Sequence, residues 1–186
     1  MVWRRRERYP VVVSSTLPRR RLLKLLGGGV GVVAGGAAGL FALRGSAPPV
    51  AGLTVLSAHE YRTMAALAGA MFPSTTLPAG APQLDLALAF DGYLADEPAW
   101  GRDEAKQALM LLELGPILFE RRLTTFSNLS VDERVAHFTR WGESDNGLRR
   151  QVAAGFRKFL CLVFYDQPAA WPSLAYEGPM LPGAPG

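Results

Sequence analysis

The chain has 186 residues, 20 lysines and arginines, 16 acids, two histidines, one cysteine and a formal net charge of +4. The charge is uneven: nine basic residues and one acid, Glu7, lie at or before Arg44, leaving eleven against fifteen, about −4, in the remainder. The high isoelectric point is therefore no argument for nucleic-acid binding, and the lone Cys161 excludes an internal disulfide and an iron–sulfur cluster held by this chain alone.

The N-terminal part carries Pro18-Arg19-Arg20-Arg21-Leu22-Leu23-Lys24, followed by an uncharged run from Leu25 to Leu43. Arg19, Arg20, Leu22, Leu23 and Lys24 resemble the R-R-x-F-L-K pattern of twin-arginine export signals, with Leu22 in place of the usual phenylalanine. The run is long enough to approach the span of a bilayer core. Its many glycines, Gly27, Gly28, Gly29, Gly31, Gly35, Gly36 and Gly39, give it the weak hydrophobicity of such signals. Arg4, Arg5, Arg6 and Arg8 add to the basic flank and set the N-terminus on the cytoplasmic side. Gly45-Ser46-Ala47 is the best cleavage candidate, but Pro48-Pro49 follows, so an uncleaved anchor is the alternative. Residues 1–47 are thus expected to form a basic N-terminus with a signal or anchor helix. Residues 48–55 are expected to be a linker, 56–180 a helical domain and 181–186 a flexible tail.

Ser57-Ala58-His59-Glu60 is a capping box that opens a helix bearing Tyr61, Met64, Leu67 and Met71 at helical spacing; Phe72-Pro73 closes it. Ser74 to Pro82 is rich in proline and reads as a loop. Leu84 to Leu94 is expected as a second helix, with Leu84, Leu88 and Tyr93 near one face. Asp96 to Gly101 breaks it, and Arg102 to Leu114 forms a third. Gly115-Pro116 is expected to stop or kink that helix, since proline lacks a donor and clashes with the preceding turn. Ile117 to Phe126 continues helical. Ser130 to Glu133 is a second capping box, leading through Val135, Phe138 and Trp141. The last helix spans Leu148 to Phe164 with Leu148, Val152, Phe156, Phe159, Leu160 and Val163 as its buried stripe, and Pro168 and Pro172 close it. No apolar/polar alternation occurs past residue 53. The expected fold is all-α, one bundle of about five helices with an aromatic, proline-rich C-terminal tail.

The motifs of catalysis are sparse. There is no C-x-x-C-H, no G-x-S-x-G, and no G-x-G-x-x-G after a strand. His59 and His137 have no carboxylate at ligand spacing and are expected as surface or half-buried helix residues. Asp96-Glu97 and Asp103-Glu104 bracket Trp100 at a helix start, where the dipole favours acids. Arg121-Arg122, Arg149-Arg150 and Arg157-Lys158 are expected on solvated helix faces or at partner contacts. Cys161, in an apolar run, is expected to pack as a buried small hydrophobe.

The C-terminal stretch Phe164-Tyr165-Asp166-Gln167-Pro168 through Trp171-Pro172 to Tyr176-Glu177-Gly178-Pro179 is dense in aromatics and prolines. Together with the Leu56-Ser57-x-x-Glu60 opening, the Phe72-Pro73 exit and the twin-arginine motif, it resembles the gluconate 2-dehydrogenase subunit 3 family over most of residues 17–179. The resemblance implies a small, non-catalytic, cofactor-free subunit of a periplasmic, membrane-associated sugar or sugar-acid dehydrogenase. It also implies a partner, a large flavoprotein of the glucose–methanol–choline (GMC) type holding FAD. A cytochrome c subunit with haem c often accompanies the pair. The large subunit can lack its own signal and travel through the Tat translocase bound to the small one. Phe164, Tyr165, Trp171 and Tyr176 are the candidate partner interface, since aromatics on a proline-stiffened segment supply interface anchors. The competing readings are a free-standing membrane-anchored scaffold or ligand-binding protein and, with least support, an enzyme in its own right.

Overall fold

The computed structural model describes residues 44–73 and 84–176. The export motif at Arg19–Lys24, the uncharged run, the 74–82 loop and the tail beyond Tyr176 lie outside the described residues. Five α-helices pack together and no strand occurs among the described residues: α1 Ala58–Met71, α2 Leu86–Asp96, α3 Ala99–Glu120, α4 Val131–Gly142 and α5 Gly147–Tyr165. Two 3-10 turns, Phe126–Asn128 and Pro168–Leu174, precede α4 and follow α5.

Both capping boxes form. Ser57 Oγ accepts from Glu60 N at 3.4 Å while Glu60 Oε2 accepts from Ser57 N at 2.7 Å. Ser130 and Glu133 repeat the pattern at 3.4 and 3.0 Å. Each reciprocal pair satisfies amides that the first helical turn leaves free. α1 is the central element, packed on α2, α3 and α4, while α5 lies across α2 and α4. Met64 and Leu67 of α1, Phe90 of α2, Leu109 and Leu112 of α3, Trp141 of α4 and Leu160 and Val163 of α5 are essentially sealed from solvent.

Several boundaries differ from the sequence reading. α2 begins two residues later than expected, because Asp85 caps it by accepting from Leu88 N at 2.9 Å. Its buried face is Leu86, Ala87, Phe90, Asp91 and Leu94, not the Leu84–Leu88–Tyr93 line. The break before α3 is confined to Glu97 and Pro98. α3 then runs unbroken through Pro116 to Glu120. Proline in a helix interior costs about 3 kcal/mol, and here burial of Leu112, Gly115 and Pro116 on one face opposes that cost. Beyond Glu120 the chain is not helical up to Phe126. Arg121 ends α3 in the left-handed region at φ 55, and its amide returns to Pro116 O. After α5 the chain does not simply stop at Pro168; it turns through a short 3-10 helix with Pro168 at its first position.

The expected linker is tied down. Asp91 on α2 is buried, and its carboxylate gathers three donors from it and a fourth from Leu56: Thr54 N at 2.7 Å and Thr54 Oγ1 at 2.8 Å on Oδ2, Val55 N at 3.0 Å and Leu56 N at 2.6 Å on Oδ1. Burial pushes the Asp91 carboxyl up, and the bonds from Leu56, Thr54 and Val55 outweigh it, leaving the group below its ordinary range. Farther upstream, Arg62 Nη1 donates to the carbonyls of Arg44 and Ser46 at 3.0 and 3.2 Å. The segment ahead of α1 is therefore fastened to both α1 and α2.

Candidate functional site

The four aromatics of the candidate interface fall into two groups. Phe164 is buried and stacks on Phe72 at a centroid distance of 4.3 Å and 12° between planes, joining the end of α1 to the end of α5. It is a core residue here. Tyr165 and Tyr176 remain 46% and 45% exposed. Trp171 is half-buried between them: its indole Nε1 donates to Tyr165 O at 2.9 Å, and its ring meets Tyr176 edge-to-face at 5.4 Å. A buried indole finds a partner for its N–H, and this bond folds the turn after α5 back onto the helix end. Two outer residues of α5 extend the exposed surface, Phe159 at 38% and Leu162 at 48%. Phe159 was expected inside. It instead lies at the edge of the buried stripe, reaching Phe90 edge-to-face at 6.1 Å while leaving part of its ring in solvent. Cys161 is half-buried rather than fully buried, one position off the Leu160 line that faces the core.

The second feature is internal. His137 on α4, expected at or near the surface, is fully buried. Its Nδ1 lies 2.7 Å from Glu120 Oε1, so Nδ1 carries the proton and donates, because a carboxylate only accepts. Arg140 Nη2 donates to the same oxygen at 2.8 Å. His137 Nε2 and Trp141 Nε1 are buried without hydrogen-bond partners among the described residues. Burial holds the imidazole pKa below its ordinary value, and Glu120 only partly offsets this. The sequence carried one signal for this burial: His137 stands four residues before Trp141, on the core side of an otherwise polar helix.

Glu113 on α3 is also buried, accepting from Thr63 Oγ1 of α1 at 3.1 Å and from Ser127 N and Oγ at 3.0 and 2.7 Å. It ties three elements together, as Asp91 ties the leading segment to α2. Glu133 bonds to Arg122, and this partner, with the cap at Ser130, draws its carboxyl down to about 2. Asp96, Glu97, Asp103 and Glu104 do flank the start of α3. Arg149 lies over the Phe119 ring at 5.0 Å and Arg157 over Phe138 at 5.8 Å.

No group of three or more potential metal ligands occurs among the described residues, and no described helix is long and apolar enough to cross a membrane. Comparison with protein-family models, with curated proteins and with solved structures finds no match.

Proposed function

We propose that this chain is the non-catalytic small subunit of an exported, membrane-associated, FAD-dependent dehydrogenase of the GMC type, which escorts the flavoprotein through the twin-arginine route and stabilises it. The observation that carries this reading is the pairing of the Arg19-Arg20 motif with an aromatic C-terminal end whose Tyr165 and Tyr176 rings stay nearly half exposed. The twin-arginine route carries proteins already folded, often around a cofactor. A helical bundle whose buried carboxylates Asp91 and Glu113 hold its chain segments together is a folded unit of the kind that route carries. In this reading the FAD belongs to the large subunit, and a cytochrome c subunit often accompanies such a pair. The reading also places the chain in the periplasm, anchored by its N-terminal segment where the signal is not removed.

The test is purification of the full chain from the membrane and periplasmic fractions of its own host, with a visible spectrum of the complex. A stoichiometric flavin absorbance carried by a larger co-purifying chain is the expected result. Recovery of the chain alone from every fraction overturns the proposal and leaves the free-standing scaffold as the better reading.

A further inference from the structure

We infer that Arg62 is a latch over the junction between export signal and domain: it holds residues 44–46 in a turned conformation that a signal peptidase cannot take, so the signal stays attached and serves as the membrane anchor. That residues 1–47 act as a signal rests on the function proposed above; the latch itself is a feature of the fold.

Sequence and exposure alone mark the junction as a place to be cut. Gly45-Ser46-Ala47 supplies the small residues that a signal peptidase requires ahead of the bond. Gly45, Ser46, Pro48 and Pro49 are exposed and Ala47 is half-buried. Exposed stretches of small residues are the usual sites of nicking, but whether one is cut depends on how its backbone is held. Here it is held. Arg62 Nη1 on α1 donates to Arg44 O at 3.0 Å and to Ser46 O at 3.2 Å. Between these two carbonyls the chain turns at Gly45, whose φ of 69 lies in the left-handed region that glycine tolerates best. Peptidases take the residues ahead of the scissile bond as an extended strand and pair with its amides and carbonyls. Gly45 is not extended, and the carbonyls on either side of it are already bound.

The guanidinium is itself seated. Arg62 Nη2 donates to Asn128 Oδ1. Asn128 is fixed in the 3-10 turn before α4, its Nδ2 donating to Thr125 Oγ1 at 3.0 Å and its amide to Thr125 O at 3.0 Å. A planar fork with one nitrogen on a fixed acceptor presents the other in a set direction. Downstream, the Asp91 carboxylate holds Thr54, Val55 and Leu56. The Ala47–Pro48 bond thus lies between two fastenings, one on α1 and one on α2, and both are made of charge-assisted hydrogen bonds. The twin-arginine route delivers the domain folded, so the latch is closed before the bond meets a peptidase. Pro48 is a separate obstacle, because its ring replaces the N–H of the residue after the bond. Cleavage would add one water across the Ala47–Pro48 amide, leaving a carboxylate on Ala47 and an amine on Pro48.

Two arms test the latch on the full chain. In the first, the purified protein is digested briefly with trypsin, and mass spectrometry follows the cuts at Arg44–Gly45 and Arg121–Arg122. Arg121, exposed where α3 ends, is not part of the latch and reports general loosening. Arg62→Gln is expected to speed the Arg44 cut at least about tenfold and leave the Arg121 cut unchanged, as loss of hydrogen bonds from a charged group does when cleavage follows local opening. Arg62→Lys keeps the charge without the fork and is expected to fall between the two; it decides the matter if glutamine loosens the whole domain. An Arg44 cut no faster in either variant, or both cuts speeded equally in both, overturns the latch.

In the second arm, the mass of the exported chain is read in cells for the parent and for Pro48→Ala with and without Arg62→Gln. The parent and Pro48→Ala are expected to keep the signal, and the double variant to lose residues 1–47. A shortened parent or Pro48→Ala chain, or a double variant still at full length, overturns the claim that the latch retains the anchor. Absence of every one of these chains from the periplasmic and membrane fractions removes the export route of the proposed function instead, and the trypsin arm still decides the latch.

Discussion

Gly115 sits so close to Trp141 that a Cβ on it would lie 2.6 Å from Cζ2 of that ring. The same atom would lie 2.8 Å from His137 Nε2. Both rings are fully buried, so neither can swing aside. Gly115→Ala is therefore expected to destabilise the domain by about 1–3 kcal/mol or more, the range for overpacked cores. Gly155→Ala on α5, where no atom comes within 4 Å of the new methyl, is the internal comparison. It is expected to be neutral or to stabilise by up to about 1 kcal/mol through helix propensity. Denaturant unfolding of the two variants checks both signs.

Asp91→Asn is expected to cost roughly 2–3 kcal/mol, because an amide can accept from only part of the Thr54–Leu56 donor set and turns its own N–H₂ toward the rest. The pH dependence follows from the direction of the shift. The folded-state pKa lies below the unfolded one, so this stabilisation is present above the unfolded value, about 3.9, and is lost as the pH falls through the folded value. The acid limb of the stability curve should be shallower in Asp91→Asn. An unchanged limb would remove Asp91 as the group responsible.

His137 titrates in a different window. Its folded-state pKa is below the unfolded value of about 6.5, so the unfolded chain binds the proton first. Stability is full above that pH and declines as the pH falls below it, since protonation puts a second N–H at Nε2, which has no acceptor among the described residues. Glu120 from α3, Arg140 from α4 and Arg149 from α5 are the charges that set the balance. The melting temperature of His137→Asn should lie below that of the parent at neutral pH and vary less between pH 7 and about pH 5. Equal slopes in the two proteins would refute this.

Replacing Arg19 and Arg20 together by lysine is expected to retain the protein in the cytoplasm, as measured by fractionation of cells expressing the full chain. Export of that variant, or a block imposed by loss of the Sec translocon, would remove the twin-arginine route from the proposed function.

What could be read in advance was local. The capping boxes at Ser57 and Ser130 place donor and acceptor three residues apart, so spacing alone specifies the bond. The all-helical architecture follows from the apolar periodicity of α4 and α5. What could not be read depends on contacts distant in sequence. Pro116 has an unfavourable local signature, and only the packing of Gly115 against α4 shows why α3 passes through it. Residues 48–55 have the composition of a linker, yet the amides of Thr54 and Val55 are held by the carboxylate of Asp91, far along the chain. Phe159 and Leu160 are adjacent and similarly apolar, yet one is 38% exposed and the other sealed. At the candidate interface the C-terminal aromatics stood out in the sequence, whereas the packing of Phe164 on Phe72 and the exposure of Leu162 came from the fold.

The fastening of residues 44–56 also defines a load path. Tension applied to the chain ahead of Arg44 meets the Arg62 guanidinium on α1 first and the Asp91 carboxylate on α2 second. Two helices thus take up the strain before the Ser57 cap is loaded. The domain is expected to yield under force as a unit, with α1 and α2 parting together, and not by peeling one turn at a time from the first helix.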